Sequence, residues 1–80
     1  MGNFEDINNL VLRSLGYHLR QIRQQKQLRQ KTVAKLCEMD SGSYSNIENG
    51  KRNITILTLV KISKVLNVSL TEIMSFELKH

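Results

Sequence analysis

The sequence has no tryptophan, no proline and a single cysteine, with two phenylalanines, two tyrosines and four glycines in 80 residues. So few rings leave a core built mainly from aliphatic side chains. A lone cysteine excludes an internal disulfide and a multi-cysteine zinc site, and points to a reducing, cytoplasmic compartment. No apolar run approaches the ~20 residues that span a bilayer, so no membrane partner is expected. The opening stretch MGNFEDINN carries acids where an export signal carries bases. No Gly/Ser/Pro-rich linker and no internal repeat divides the chain, which reads as one domain near the lower size limit for independent folding. Self-association would bury a further face of so small a core.

Catalytic groupings are missing too. There is no Ser/His/Asp or Cys/His set, no glycine-rich phosphate loop and no cluster of metal ligands. His18 has only Cys37 as a soft companion, so it reads as an imidazole at the core edge, and Cys37 as a small core residue. No enzyme activity, cofactor or metal is expected. Acidic residues are absent from one long stretch: Arg13, Arg20, Arg23, Lys26, Arg29, Lys31 and Lys35 follow one another with no Asp or Glu between them. Within a net charge of +5 this asymmetry makes a positive surface that attracts polyanions. The bland alternative is a solvated helix face.

What is present is helical periodicity, centred on Gln30–Gly50. Val33, Leu36, Cys37 and Met39 share one side of a 3.6-residue wheel, Asp40 interrupts, and Tyr44 and Ile47 resume it. Asp40 suits an N-cap and Gly50 a left-handed helix end. Met39 with Tyr44, and Leu28 with Val33, stand as hydrophobic staples at two helix entries. Two short helices at a fixed angle, the second with a small polar outer face, make a helix-turn-helix. Asn49-Gly50 would also suit a type I′ hairpin, but Ile54, Leu57 and Val60 return to helical spacing. Before this unit, a helix is expected over about Ser14–Lys26 with Leu15, Leu19 and Ile22 inward and Arg20 largely outside. After it come a helix capped by Thr55 and reaching Leu66, with Leu59, Ile62, Val65 and Leu66 inward and Asn67 as its left-handed end. A last helix over Leu70 to about Leu78 follows the capping box Ser69–Glu72, leaving Lys79 and His80 as a frayed end. Phe4, Ile7, Leu10 and Val11 also have helical spacing. A short amphipathic helix over residues 1–13 is therefore expected, and covering the core, dimerising and fraying all stay open as its role.

Gln30, Val33–Ala34, Met39, Ser45, Ile47–Glu48 and Gly50, with KRN directly after, resemble the Cro/C1-type (XRE-like) helix-turn-helix family of phage repressors and restriction–modification controllers. The likeness continues through Leu59, Ile62, Leu66, Val68–Ser69 and Ile73, and covers roughly Leu15 to Met74. It implies an all-α, compact five-helix, lambda-repressor-like domain over residues 14–80, preceded by the extension 1–13. It further implies that Arg23 pairs with Glu48 as a structural ion pair, and that Ser41, Gly42 and Asn46 face base edges. Phosphate contacts would come from Arg29, Gln30, Lys31, Ser43, Ser45, Asn49, Lys51 and Arg52. In dimeric relatives the last helix makes the two-fold contact, so Leu70, Met74 and Phe76 are candidates, whereas Ile73 belongs to the monomer core. The chain departs from the family at the N-cap Arg29, at Ile54 where Pro is common, and at the Ser-Gly start of the reading helix. Ser discriminates weakly between bases, so specificity is expected to rest on Asn46, able to pair with an adenine edge, and on DNA shape.

The reading that follows is a sequence-specific regulator of transcription that binds double-stranded DNA, repressor-like, as a homodimer on a palindrome. The alternative from another class is an antitoxin or adaptor that uses the same fold to bind a protein partner.

Overall fold

The computed structural model describes residues 3–78. Among them are five α-helices and no strand: α1 (Phe4–Gln25), α2 (Gln30–Leu36), α3 (Ser41–Glu48), α4 (Ile56–Leu66) and α5 (Leu70–Met74). Lys79 and His80 lie outside the described residues, as do Met1 and Gly2.

The first helix begins well before its buried stripe. Asn3 Oδ1 accepts from the Asp6 N–H at 3.0 Å, and Asp6 Oδ2 accepts from the Asn3 N–H at 3.4 Å. This reciprocal box satisfies donors that would otherwise be orphaned, while Glu5 and Asp6 oppose the positive end of the helix dipole. Nothing after it stops the helix, so the separate short helix expected before Ser14 is instead the first part of one 22-residue α1. At ~1.5 Å per residue it runs ~33 Å, most of the 39 Å long axis of the molecule. Its buried residues (Ser14, Leu15, Gly16, Leu19, Ile22 and Arg23) all lie from Ser14 onward. The first turns overhang the domain, with Phe4 84% exposed.

The core joins Leu15, Leu19 and Ile22 of α1 to Val33, Ala34 and Cys37, Tyr44 and Ile47, Leu59, Ile62 and Leu66, and Ile73. Leu28, Met39 and Val68 pack against its edge, and their expected staple partners Val33, Tyr44 and Ile73 lie within it. Leu36 departs from expectation: it is 60% exposed. Val33, Ala34 and Cys37 define the buried direction of α2, and at 100° per residue Leu36 falls on the far side of Val33 from the other two. Leu57 is likewise exposed, standing opposite the Leu59–Ile62–Leu66 stripe of α4.

Four helices end in one way. After α1, α2, α3 and α4 a residue enters the left-handed region: Gln27 (φ 60°), Glu38 (φ 60°), Gly50 (φ 70°) and Asn67 (φ 57°). The following N–H reaches back five residues, as in Leu28 N to Arg23 O, Met39 N to Ala34 O, Lys51 N to Asn46 O and Val68 N to Ser63 O. These are Schellman closures, and Gly50 ends α3 where a hairpin was the rival reading. Only Gly50 adopts the conformation freely; a side chain there costs ~1–2 kcal/mol. Replacing Glu38 by Gly is therefore expected to raise stability by about 1 kcal/mol, or ~4–8 °C in thermal midpoint for a domain of this size. A midpoint that falls on this substitution contradicts the strain at Glu38.

Helix α5 stops at Met74, short of the expected Leu78. Ser75 leaves helical geometry with ψ 66°, and its hydroxyl donates to the Thr71 carbonyl at 2.7 Å. Phe76 then turns onto His18, ring centroids 6.0 Å apart. A ring nitrogen of His18 bonds the Glu72 carbonyl at 2.9 Å, so the core-edge imidazole ties α5 to α1.

Candidate nucleic-acid interface

Helix α3 has two unlike faces. Tyr44, Ile47 and Glu48 point inward and are buried, while Ser41, Gly42 and Asn46 point outward and are exposed. Its start is fixed by Asp40, whose Oδ1 accepts from the Ser43 N–H at 2.7 Å and whose Oδ2 accepts from the Ser43 hydroxyl at 3.0 Å. These bonds, from the backbone first and the hydroxyl second, hold the Asp40 carboxyl below its usual range. They also occupy the one proton of Ser43, which is therefore unavailable to a phosphate while the cap is closed. Ser45 differs: its oxygen accepts from Asn49 Nδ2 at 3.4 Å, leaving its own proton free to donate.

The inner face is anchored by charge. Arg23 Nε donates to Glu48 Oε2 at 2.6 Å and Nη2 to Oε1 at 3.1 Å, while Nη1 donates to the Leu28 carbonyl at 2.7 Å. One guanidinium thus holds α1, the entry to α2 and the end of α3. Gln30 Nε2 also donates to Glu48 Oε1, at 2.9 Å, so the expected phosphate ligand at the start of α2 braces the reading helix with one of its two amide protons. Arg29 caps α2 without a side-chain bond and stays exposed, as do Lys31, Lys51 and Arg52. Cations therefore stand at the start of α2 and in the loop after α3. Leu70 and Phe76 are half-buried against the core, and Met74 is exposed.

Burial opposes ionisation of Glu48, but the bonds from Arg23 and Gln30 hold its carboxyl below the ordinary value. The same Glu48 contact raises the Arg23 guanidinium further above neutrality. Tyr44 is wholly buried beside this pair, its hydroxyl making no hydrogen bond, and burial pushes the phenol far up. Burial likewise raises the Cys37 thiol, which makes it a poor nucleophile. Because folding lowers the Glu48 pKa, the unfolded chain binds that proton more tightly. The stabilisation is present above the unfolded value near 4.5 and is lost as pH falls through the lower folded value. The gap in thermal midpoint between the parent and Glu48→Gln is thus expected to be wide at neutral pH and to narrow below about pH 4. A gap independent of pH contradicts an ionised Glu48.

Two contributors escaped the sequence reading. Arg20, expected outside, donates from Nη2 to Asn49 Oδ1 at 2.6 Å and brings Nε within 3.5 Å of Glu48 Oε1. Its signal was its spacing, three residues before Arg23 on the same helical face. Gly16 lets α1 cross the end of α3: a Cβ there would lie 2.4 Å from the Glu48 carbonyl oxygen and 2.5 Å from that of Ile47. Among the described residues, no group of three or more His, Cys, Asp or Glu is placed to hold a metal, and no helix is long and apolar enough to cross a membrane.

A short helix held by its inner face, exposed on its polar side and joined to its predecessor by a tight corner, defines a helix-turn-helix protein. Residues 19–73 match the helix-turn-helix family model, and the chain belongs to that family. The control protein C.MunI of Mycoplasma sp is 39% identical over 70 residues, spanning 86% of this chain and 93% of the relative. The crystal structure of the restriction-modification controller protein C.AhdI from Aeromonas hydrophila superposes with a TM-score of 0.76 at 31% identity, over 78% of this chain and 90% of that one. The clp gene regulator ClgR of Corynebacterium glutamicum shares the fold at 22% identity, with a TM-score of 0.77 over 80% of this chain and 83% of that chain.

Proposed function

We propose that this protein is a sequence-specific, double-stranded DNA-binding regulator of transcription, of the controller type, and not an enzyme. The observation that carries the reading is the division of α3: its inner face is fixed by Tyr44, Ile47 and Glu48, while Ser41, Gly42 and Asn46 stand exposed. Residues 14–80 form the DNA-binding domain and residues 1–13 its N-terminal extension. In this reading α3 enters the major groove and Asn46 bonds a base edge. Arg29, Gln30, Lys31, Ser45, Asn49, Lys51 and Arg52 hold phosphates on either side, and Ser43 joins them only if its cap bond opens. The protein acts as a homodimer, repressor-like, with half-sites ~34–36 Å apart on one face of a palindrome. Of the proposed dimer contacts Leu70, Met74 and Phe76, Met74 is the most accessible. The kinship with C.MunI and C.AhdI supports a controller role, and the positive stretch Arg13–Lys35 supports a polyanionic partner.

Selection from random duplex DNA, followed by affinity measurements across a salt series, tests this directly. A palindromic motif should emerge, with log K falling by ~0.9 per phosphate neutralised for each decade of salt. Affinity without sequence preference, or indifferent to salt, contradicts it. Asn46→Ala is expected to relax preference at one position in each half-site, where a bidentate amide contributes ~1–3 kcal/mol of discrimination.

A further inference from the structure

We propose that Arg20 is a positioning residue for DNA binding: it fixes the Asn49 carboxamide so that its N–H groups, and not its oxygen, face the nucleic-acid backbone. The inference rests on the DNA-binding reading and adds a residue to it. A guanidinium is donor-only, so the atom of Asn49 that meets Arg20 Nη2 at 2.6 Å must be the oxygen. The amide nitrogen is thereby turned the other way, toward Ser45 Oγ at 3.4 Å, along the exposed side of α3. One of its two protons is left for an outside acceptor. Without Arg20 the carboxamide would turn over with no change in shape, presenting an acceptor to a phosphate that accepts only. Arg20 is itself held, because its Nε lies 3.5 Å from Glu48 Oε1 and that carboxylate is fully buried. The same Glu48 oxygen takes Gln30 Nε2 at 2.9 Å. A single buried carboxylate therefore sets the position of two polar side chains, Gln30 at the start of α2 and, through Arg20, Asn49 at the end of α3.

The test uses the full chain and a duplex recovered by selection, with the parent, Arg20→Ala, Arg20→Lys, Asn49→Ala and the Arg20→Ala/Asn49→Ala double variant. Thermal unfolding of each sets a temperature at which all are folded. Each alanine variant is expected to bind about tenfold more weakly, the scale of one hydrogen bond to a charged group. The double variant should lose no more than either single one, and Arg20→Lys, which keeps a donor, should recover most of the affinity. The salt slope of Arg20→Ala should match that of the parent, since Asn49 carries no charge. Additive losses in the double variant overturn the proposal. So does a slope shallower by ~0.9, because Arg20 would then be touching phosphate itself. A lower midpoint for Arg20→Ala with unchanged affinity overturns it as well, leaving Arg20 purely structural. If the parent shows no salt-dependent binding, the DNA-binding reading fails and takes this inference with it, an outcome distinct from parental binding that ignores Arg20.

Discussion

Glu48→Ala should cost this domain about 4 kcal/mol, enough to lower its thermal midpoint by roughly 20 °C. The carboxylate accepts three hydrogen bonds, two from Arg23 and one from Gln30, in a site where its side chain is wholly buried. Removing it leaves Arg23, a residue only 9% exposed, without its counter-charge. A small domain holds ~0.05–0.15 kcal/mol per residue in total, so a loss of that size consumes much of its stability. The same physics says the pair itself contributes little: replacing both partners by leucine should restore part of what either single change removes. Calorimetric midpoints of Glu48→Ala, Arg23→Leu and the Arg23→Leu/Glu48→Leu double variant settle the point. If Glu48→Ala melts with the parent, Glu48 does not hold α3.

Gly16→Ala should be nearly as damaging, at about 3 kcal/mol, for a steric reason. The added methyl would press on two backbone carbonyls, those of Ile47 and Glu48, and neither can rotate aside as a side chain would. Helices α1 and α3 must move apart, and the Arg23–Glu48 bonds lengthen with them. Gly42 is the informative contrast. A Cβ there meets only Asp40 Oδ1, at 3.3 Å. In a helix, alanine is favoured over glycine by ~1 kcal/mol, and the close approach to Asp40 offsets part of this gain, so Gly42→Ala should unfold at or slightly above the parent. Its effect should fall instead on DNA affinity, where a methyl intrudes between α3 and the groove floor. Thermal midpoints and duplex affinities of both variants check the contrast; equal midpoints for Gly16→Ala and Gly42→Ala contradict it.

The apolar spacing made the core of α3 and α4 legible, and Asp40, Thr55 and Ser69 announced helix starts through the same short-range bond to the third residue on. The helix ends were half hidden. Gly50 and Asn67 carry the chemistry of a left-handed residue, whereas Gln27 and Glu38 do not, and there tertiary packing imposes a conformation that local propensity disfavours. Leu36 departs from expectation because its place beside Val33 and Cys37 on the wheel does not say where the buried direction centres. The continuity of α1 was hidden because burial changes along it while the helix does not: Phe4 and Ile7 keep helical spacing in exposed turns, and no stop separates them from the buried part beyond Ser14. In the candidate site, resemblance drew Arg23 and Glu48 together, and the spacing of Arg20 from Arg23 gave its helical face but not its partner Asn49; Gly16 depends on how closely two helices cross, a distance that no one-dimensional pattern encodes.

The regulator reading turns on which surface of the protein meets the duplex. Titration of isotope-labelled protein with the selected duplex, followed by backbone and side-chain amide resonances, reads this residue by residue. The largest shifts are expected at Ser41, Gly42 and the Asn46 carboxamide, with smaller ones at Arg29–Lys31 and Asn49–Arg52 and none at Phe4–Val11. A tight complex in which Ser41, Gly42 and Asn46 stay unmoved while the start of α1 shifts would contradict the account.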